Sequence, residues 1–266
     1  MALVLALTIA LLALATCVLF LVHPWWFPIS ISASASSIDR QFAVTFIVCG
    51  ILFVVAQITM AGFVWRYRSS RPGVQAPAGH ANGPYELFWT AVVTVLFVSL
   101  GAAGYRVWAR TTVSPPAPGA LRVEVWGEQF EWYFRYPGPD GQFGPIHPDL
   151  MNDGTGNYLG LEREHDAASR DDVVTATLTV PVGRPVELMV RSKDVIHSFF
   201  VRELRIKQDA IPGRISSIPF TADRMGRYEI VCSELCGLGH YKMHADLDVV
   251  TTEQFQQWLL RQAQSQ

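Results

Sequence analysis

Cys232-Ser233-Glu234-Leu235-Cys236-Gly237-Leu238-Gly239-His240-Tyr241-Lys242-Met243 is the stretch of this 266-residue sequence in which chemistry is most concentrated. It places two thiols, an imidazole and a thioether within twelve residues, between two segments with the composition of strands. Soft sulfur and borderline imidazole ligands select copper over Mg²⁺ or Ca²⁺. Gly237 and Gly239 let the backbone turn tightly enough for the side chains to converge. A second imidazole has to come from elsewhere, and His197, in Asp194-Val195-Ile196-His197-Ser198-Phe199-Phe200 at the end of an expected strand, is the natural candidate. Three simpler readings compete: a Cys232–Cys236 disulfide, a structural zinc site that leaves the methionine unused, and a Met243 that merely fills core. Taken together, with glycines between them, the five groups favour a metal centre.

Around this stretch the hydrophobic period is two. Residues 121–134, 175–180, 185–190, 215–220, 228–231 and 246–251 are short, rich in Val, Ile, Thr and aromatics, and bounded by Gly, Pro and Asp. Such spacing predicts a small antiparallel sandwich or barrel. Residues 137–172, with many Gly, Asp, Asn and Pro, form a long excursion between strands that opens on the turn-rich Pro137-Gly138-Pro139-Asp140-Gly141. Residues 252–266 read as an amphipathic helix with Phe255, Trp258 and Leu259 on its apolar side.

Further upstream the character changes. The whole chain is 50% hydrophobic and 17% charged with a net charge of −2, which excludes a basic nucleic-acid binder and a disordered chain, and four cysteines are too few for a disulfide scaffold. Those totals average two opposed parts. Residues 1–109 carry only Asp39, Glu86 and five arginines, net +3, whereas residues 110–266 are net −5. The first part contains three uncharged apolar runs, 2–22, 42–65 and 87–105, each near the ~20 residues that span a bilayer as helix. The first run lacks a preceding Lys or Arg and a small-residue cleavage site, so it reads as a retained helix rather than a signal peptide. Arg66, Arg68 and Arg71 place the linker between the second and third runs in the cytoplasm and the C-terminal part outside. Trp25, Trp26, Phe27, Trp65 and Trp108 read as interfacial anchors, and Cys17 and Cys49 as buried thiols of apolar helices. The expected organisation is an extra N-terminal transmembrane helix with an external linker (1–41), a transmembrane helical hairpin with a cytoplasmic loop (42–109), a Pro-rich tether (110–120), a β domain (121–251, with the insertion 137–172) and a C-terminal helix (252–266).

The C-S-E-L-C-G-x-G-H-x-x-M string, with D-V-I-H-S around His197 and K-x-D-A-I-P-G from Lys207 to Gly213, resembles subunit II of haem-copper cytochrome c oxidases. The resemblance covers most of the chain and implies a fold of membrane α plus all-β: N-terminal transmembrane helices followed by an external cupredoxin-like Greek-key β-sandwich. It implies a binuclear copper centre, Cu-A, bridged by Cys232 and Cys236, with His197 and His240 as imidazole ligands and Met243 and the backbone carbonyl of Glu234 as weaker ones. It also implies that the Glu234 side chain reaches an interfacial Mg²⁺ or Mn²⁺ shared with subunit I. The activity implied is electron uptake from an external cytochrome c-type donor and transfer to haem in subunit I, where oxygen is reduced to water with proton pumping. Implied partners are subunit I, subunit III, the donor (within a supercomplex in some assemblies) and membrane lipid, in a bacterial inner membrane with the copper domain on the periplasmic face. With no C-x-x-C-H haem-attachment motif, the donor is a separate protein.

Two further sites come from the same resemblance. The family's aromatic strand, G-x-Q-W-x-W, corresponds here to Gly127-Glu128-Gln129-Phe130-Glu131-Trp132, so Phe130 stands where electrons are thought to arrive and Trp126 or Trp132 could share that part. Glu86-Leu87-Phe88-Trp89-Thr90 resembles the family's E-x-x-W-T, whose Glu sits at the mouth of a proton pathway; a plain helix-dipole role for Glu86 is the alternative. Glu128, Glu131 and Asp194 could present negative charge to a basic donor. His23, His80, His147, His165 and His244 read as surface or loop residues. A quinol oxidase subunit would lack the copper ligands, and the copper domain of nitrous-oxide reductase would lack the helical hairpin.

Overall fold

The computed structural model describes residues 2–22, 27–68, 79 and 83–265. His23, Trp25, Trp26, Arg71 and His80, singled out above, lie outside the described residues. The chain divides into two compact units, Met1–Phe27 with Ile38–Val107, and Pro28–Ser37 with Trp108–Gln266.

The first unit is built on α1 (Ala2–Val22), α2 (Ala33–Arg66) and α3 (Gly83–Trp108). All three are long and apolar enough to cross a membrane, where helix is the conformation that satisfies every backbone group internally. Large side chains such as Leu11, Phe53 and Phe97 stand exposed along them, a surface suited to hydrocarbon rather than water. The second helix starts well before its uncharged run because Ser32 caps it, its Oγ accepting the Ala35 N–H at 3.1 Å. Glu86 lies in the first turn of α3, and Cys17 and Cys49 line an apolar cleft between α1 and α2.

The second unit is a sandwich. After a π-turn at Ala109–Val113, its elements are β1 (Leu121–Glu128), β2 (Glu131–Tyr136), α4 (Ala167–Arg170), β3 (Val173–Thr175), β4 (Thr177–Pro181), β5 (Pro185–Ser192), β6 (His197–Val201), β7 (Ile206–Ala210), β8 (Ser216–Thr221), β9 (Gly226–Cys232), β10 (His244–Val250) and α5 (Thr252–Ser265). One sheet has the order β3-β2-β1-β5-β8 and the other β4-β10-β9-β6-β7. Val123, Val125 and Leu188 of the first meet Leu178, Phe199, Ile230 and Leu247 of the second in one buried core.

Several strand expectations need correcting. The sheets are mixed rather than antiparallel, because β1 pairs with β5, and β4 with β10, in parallel. Both pairs join strands far apart in sequence, a crossover that local spacing does not reveal. Residues 121–134 break at Gln129-Phe130 into the β1–β2 hairpin. His197 opens β6 instead of closing a strand. The polar Lys207-Gln208-Asp209 makes β7 an edge strand with little hydrophobic signal.

Two segments that read as connections are built into this unit. The excursion between β2 and β3 covers the outer face of the first sheet: Leu159 and Leu161 bury Trp126 and Tyr133, so β1 is buried on both faces and loses its alternation. Beneath the cover Arg135 pairs with Glu124 at 3.2 Å and with Asp172, and donates to the Gly144 carbonyl at 2.6 Å. Burial pushes the Asp172 carboxyl up to about 6 against the pull of Arg135 and the Gly144 N–H. The other segment is residues 28–32. Ile31 is fully buried in the sandwich core; its N–H donates to the Glu203 carbonyl at 3.2 Å and its carbonyl accepts the Asp223 N–H at 2.8 Å. Finally, α5 lays Phe255 and Trp258 on Tyr136.

Candidate metal centre

Because β1 and β5 run parallel while β9 runs antiparallel to β6 and β10, one end of the sandwich gathers three connections: the β1–β2 tip, residues 193–196 and residues 233–243. The ends of the strands deliver the functional side chains. Cys232 closes β9, His197 opens β6, and the pairing of Phe199 with Cys232 sets the two side by side. The connection beyond Cys232 is folded on itself by backbone bonds, His240 N–H to Gly237 O at 3.1 Å and Met243 N–H to His240 O at 3.1 Å, and is closed where the Cys232 N–H meets the Met243 carbonyl at 3.0 Å. Gly237 has φ +137°, a conformation that other residues adopt only with strain.

The result is a set of sulfur and imidazole donors, buried except for half-buried His240. Cys232 Sγ and Cys236 Sγ lie 3.8 Å apart as free thiols. His197 Nδ1 is 3.9 Å from the Cys232 sulfur, and His240 Nδ1 and Met243 Sδ are 3.6 and 3.8 Å from the Cys236 sulfur. The Glu234 carbonyl lies 3.2 Å from the Cys232 sulfur, while its side chain is exposed. Ligand atoms of His197, Cys232 and Cys236 all fall within 4.8 Å of one another, close enough to share one metal ion. Burial and the neighbouring Cys232 thiol push the Cys236 thiol up to about 11. Without a cation the Cys236 sulfur therefore stays protonated at neutral pH; a soft cation displacing that proton fits this donor set.

Two residues outside the ligand set hold it in place. Asp194 Oδ1 accepts from His197 Nε2 at 2.8 Å, and a carboxylate cannot donate, so Nε2 carries the proton and Nδ1 turns its lone pair toward the sulfurs. Burial alone would raise Asp194, but the His197 ring and the backbone N–H groups of Gln129 and Val195 hold it below the usual carboxylate range. Gln129 is the second. Its N–H donates to Asp194 Oδ2 at 2.8 Å and its side chain to the Cys236 carbonyl at 2.5 Å. Neither role has a sequence signature: Asp194 reads as a surface charge and Gln129 as part of an aromatic strand.

The aromatic candidates separate. Trp132 is 1% exposed and stands edge-on to His197 with ring centres 5.9 Å apart, and half-buried Phe130 packs against Gly237 and Gly239. Trp126 lies on the opposite face of the same sheet, under the excursion and stacked by Arg191. Glu128 is paired with Lys193 at 2.5 Å, and Glu131 accepts from the Tyr133 hydroxyl at 3.0 Å.

Apolar membrane-length helices joined to a β-sandwich that carries two thiols, two imidazoles and a thioether at one end define a membrane-anchored protein with an external soft-metal domain. Residues 121–250 match the family cytochrome c oxidase subunit II, periplasmic domain. The alternative cytochrome c oxidase subunit 2 of Bradyrhizobium diazoefficiens is 35% identical over 260 residues, covering 97% of this chain and 91% of that protein. Cytochrome c oxidase subunit 2 of Cereibacter sphaeroides is 35% identical over 239 residues, covering 85% and 77%. Among solved structures, the periplasmic domain of subunit II of cytochrome oxidase from Bradyrhizobium japonicum is similar at 29% identity with a TM-score of 0.42, over 57% of this chain and 97% of that one. The chain belongs to the cytochrome c oxidase subunit II family. It is thus a subunit of an oxidoreductase complex, and copper is the metal its cysteine–histidine group suggests.

Proposed function

We propose that this chain is the electron-uptake subunit of a respiratory cytochrome c oxidase and holds a binuclear Cu-A centre on Cys232, Cys236, His197, His240, Met243 and the Glu234 carbonyl. The observation that carries this reading is the convergence of two free thiols, two imidazoles and a thioether, each within 4 Å of a cysteine sulfur. Copper bound there supplies a one-electron carrier between an external cytochrome c-type donor and the haem of subunit I, where oxygen is reduced to water with proton pumping. On this reading the oxygen-reducing site belongs to subunit I.

Its own residues do the rest. Asp194 fixes the His197 tautomer, so that Nδ1 is the free ligand. Buried Met243 and Cys236, with half-buried Phe130 above them, keep water from the sulfurs and so favour a rigid, poorly solvated site in which reduction rearranges little. Trp132 against His197 and Phe130 over the cysteine loop offer the contact through which electrons arrive; Trp126, across the sheet, supports that role less. The exposed Glu234 carboxylate is free to turn toward a Mg²⁺ or Mn²⁺ ion shared with subunit I, a hard cation suited to oxygen. Glu86, in the first turn of α3, serves proton uptake into subunit I. The helices span a bacterial inner membrane, the sandwich faces the periplasm, and subunits I and III are the membrane partners.

Metal analysis of the copper-loaded full chain, purified in detergent without subunit I and its own copper, tests the ligand assignment. Two copper ions per chain are expected, with both lost in Cys236→Ala while the sandwich stays folded. One copper, or zinc in its place, contradicts the binuclear reading.

A further inference from the structure

One residue of the β1–β2 tip is hydrogen-bonded to both of the connections that carry the candidate ligands. Gln129 spends its backbone N–H on the carboxylate of Asp194, which orients His197, and its side-chain amide on the Cys236 carbonyl, bonds that reach 65 and 107 residues along the chain. The two loop glycines let this partly exposed tip approach closely: a Cβ on Gly237 would stand 2.8 Å from Gln129 Nε2 and 3.2 Å from the Phe130 ring, and one on Gly239 only 2.4 Å from that ring. The tip is therefore seated in a recess that the two loop glycines create. On the far side, the Lys193 N–H donates to the Gly127 carbonyl at 2.9 Å, tying residues 193–196 to the same hairpin.

We infer that Gln129 is a positioning residue of the metal centre, the clamp that fixes the Cys236 loop relative to the His197 segment before any metal arrives. The deduction rests on the metal-centre reading for its purpose but not for its geometry. Cys236 is held from one side by its own loop and from the other by the Gln129 amide; removing the amide leaves its carbonyl without that partner and the loop free to swing about Gly237. Cys232, fixed at the end of β9 by pairing with Phe199 and by its N–H bond to Met243, has no such dependence. The two thiols should thus respond differently to one substitution, which a general loss of stability would not produce.

Thiol alkylation of the metal-free full chain in detergent, read separately at each cysteine by peptide mass spectrometry, makes the test. In Gln129→Met, which keeps the length of the side chain and removes the donor, Cys236 is expected to react about fivefold faster than in the parent, the size of effect that one hydrogen bond carries. Cys232 should change less than twofold and the unfolding midpoint should stay near the parent's. Gln129→Glu, which sets a carboxylate against the Cys236 carbonyl, should accelerate Cys236 further and serves if the first variant does not fold. Copper-loaded Gln129→Met should show a shifted hyperfine splitting. Unchanged Cys236 alkylation in both variants, or equal acceleration at both cysteines, overturns the proposal. Failure of the parent chain to take up copper would instead strike the metal-centre reading and leave the alkylation result standing.

Discussion

Asp194 shows how one carboxylate sets the chemistry of its neighbour. Three residues before His197, it accepts a hydrogen bond from the protonated Nε2 at 2.8 Å and also accepts from the N–H groups of Gln129 and Val195, at 2.8 and 2.6 Å, so it is itself held rigidly. Asp194→Asn keeps the shape and removes the charge; copper affinity should fall about 10–100-fold, the usual cost of losing such a supporting carboxylate, with the unfolding midpoint little moved. Competition against a copper chelator measures it, and unaltered affinity would mean that the imidazole is oriented by packing against Trp132 alone. The candidate ligands from Cys232 to Met243 were legible in the sequence because they are soft and borderline groups crowded into one string, and His197 only as an imidazole expected from elsewhere. The residues that orient them were not, since Gln129 meets Cys236 and Asp194 only after the strands have paired.

Among the elements, β1 is legible from its Val and Trp content even though burial on both faces erases its alternation, whereas the polar edge strand β7 gives little hydrophobic signal. The burial of β1 on both faces follows from the excursion, whose Leu159 and Leu161 lie on Trp126 and whose Asp172 meets Arg135. Nothing in its Gly- and Asp-rich composition points to a second layer. Ile31 is a similar case: Ile29-Ser30-Ile31-Ser32 is too short for a periodic signal, yet alternate residues part, with Ile31 wholly buried and Ile29 66% exposed. Ile31→Ala should therefore destabilise the sandwich by about 2–5 kcal/mol, the range for large-to-alanine changes in a core, while Ile29→Ala should cost almost nothing. Denaturant unfolding of the full chain compares the two; equal effects would remove Ile31 from the core.

For the whole molecule, the unremarkable net charge of −2 conceals a division that the fold makes physical: apolar helices with a few arginines, and a sandwich with an excess of carboxylates. The helices are predicted by hydropathy almost by themselves, because lipid imposes a length and a composition that few soluble helices share. Glu86 is the exception that hydropathy passes over, an acidic group at the start of an otherwise apolar span. If it serves proton uptake, Glu86→Gln should slow turnover of the assembled oxidase while its copper content stays the same. Unchanged turnover would leave it as a complement to the helix dipole.

A binuclear centre on Cys232 and Cys236 would share one electron between its two copper ions. Electron paramagnetic resonance on the copper-loaded full chain decides it, since an electron delocalised over two equivalent copper nuclei gives a seven-line hyperfine pattern and one confined to a single copper gives four. Seven lines are expected, collapsing in Cys232→Ser and Cys236→Ser. A four-line spectrum from the parent chain, or no copper signal at all, contradicts it.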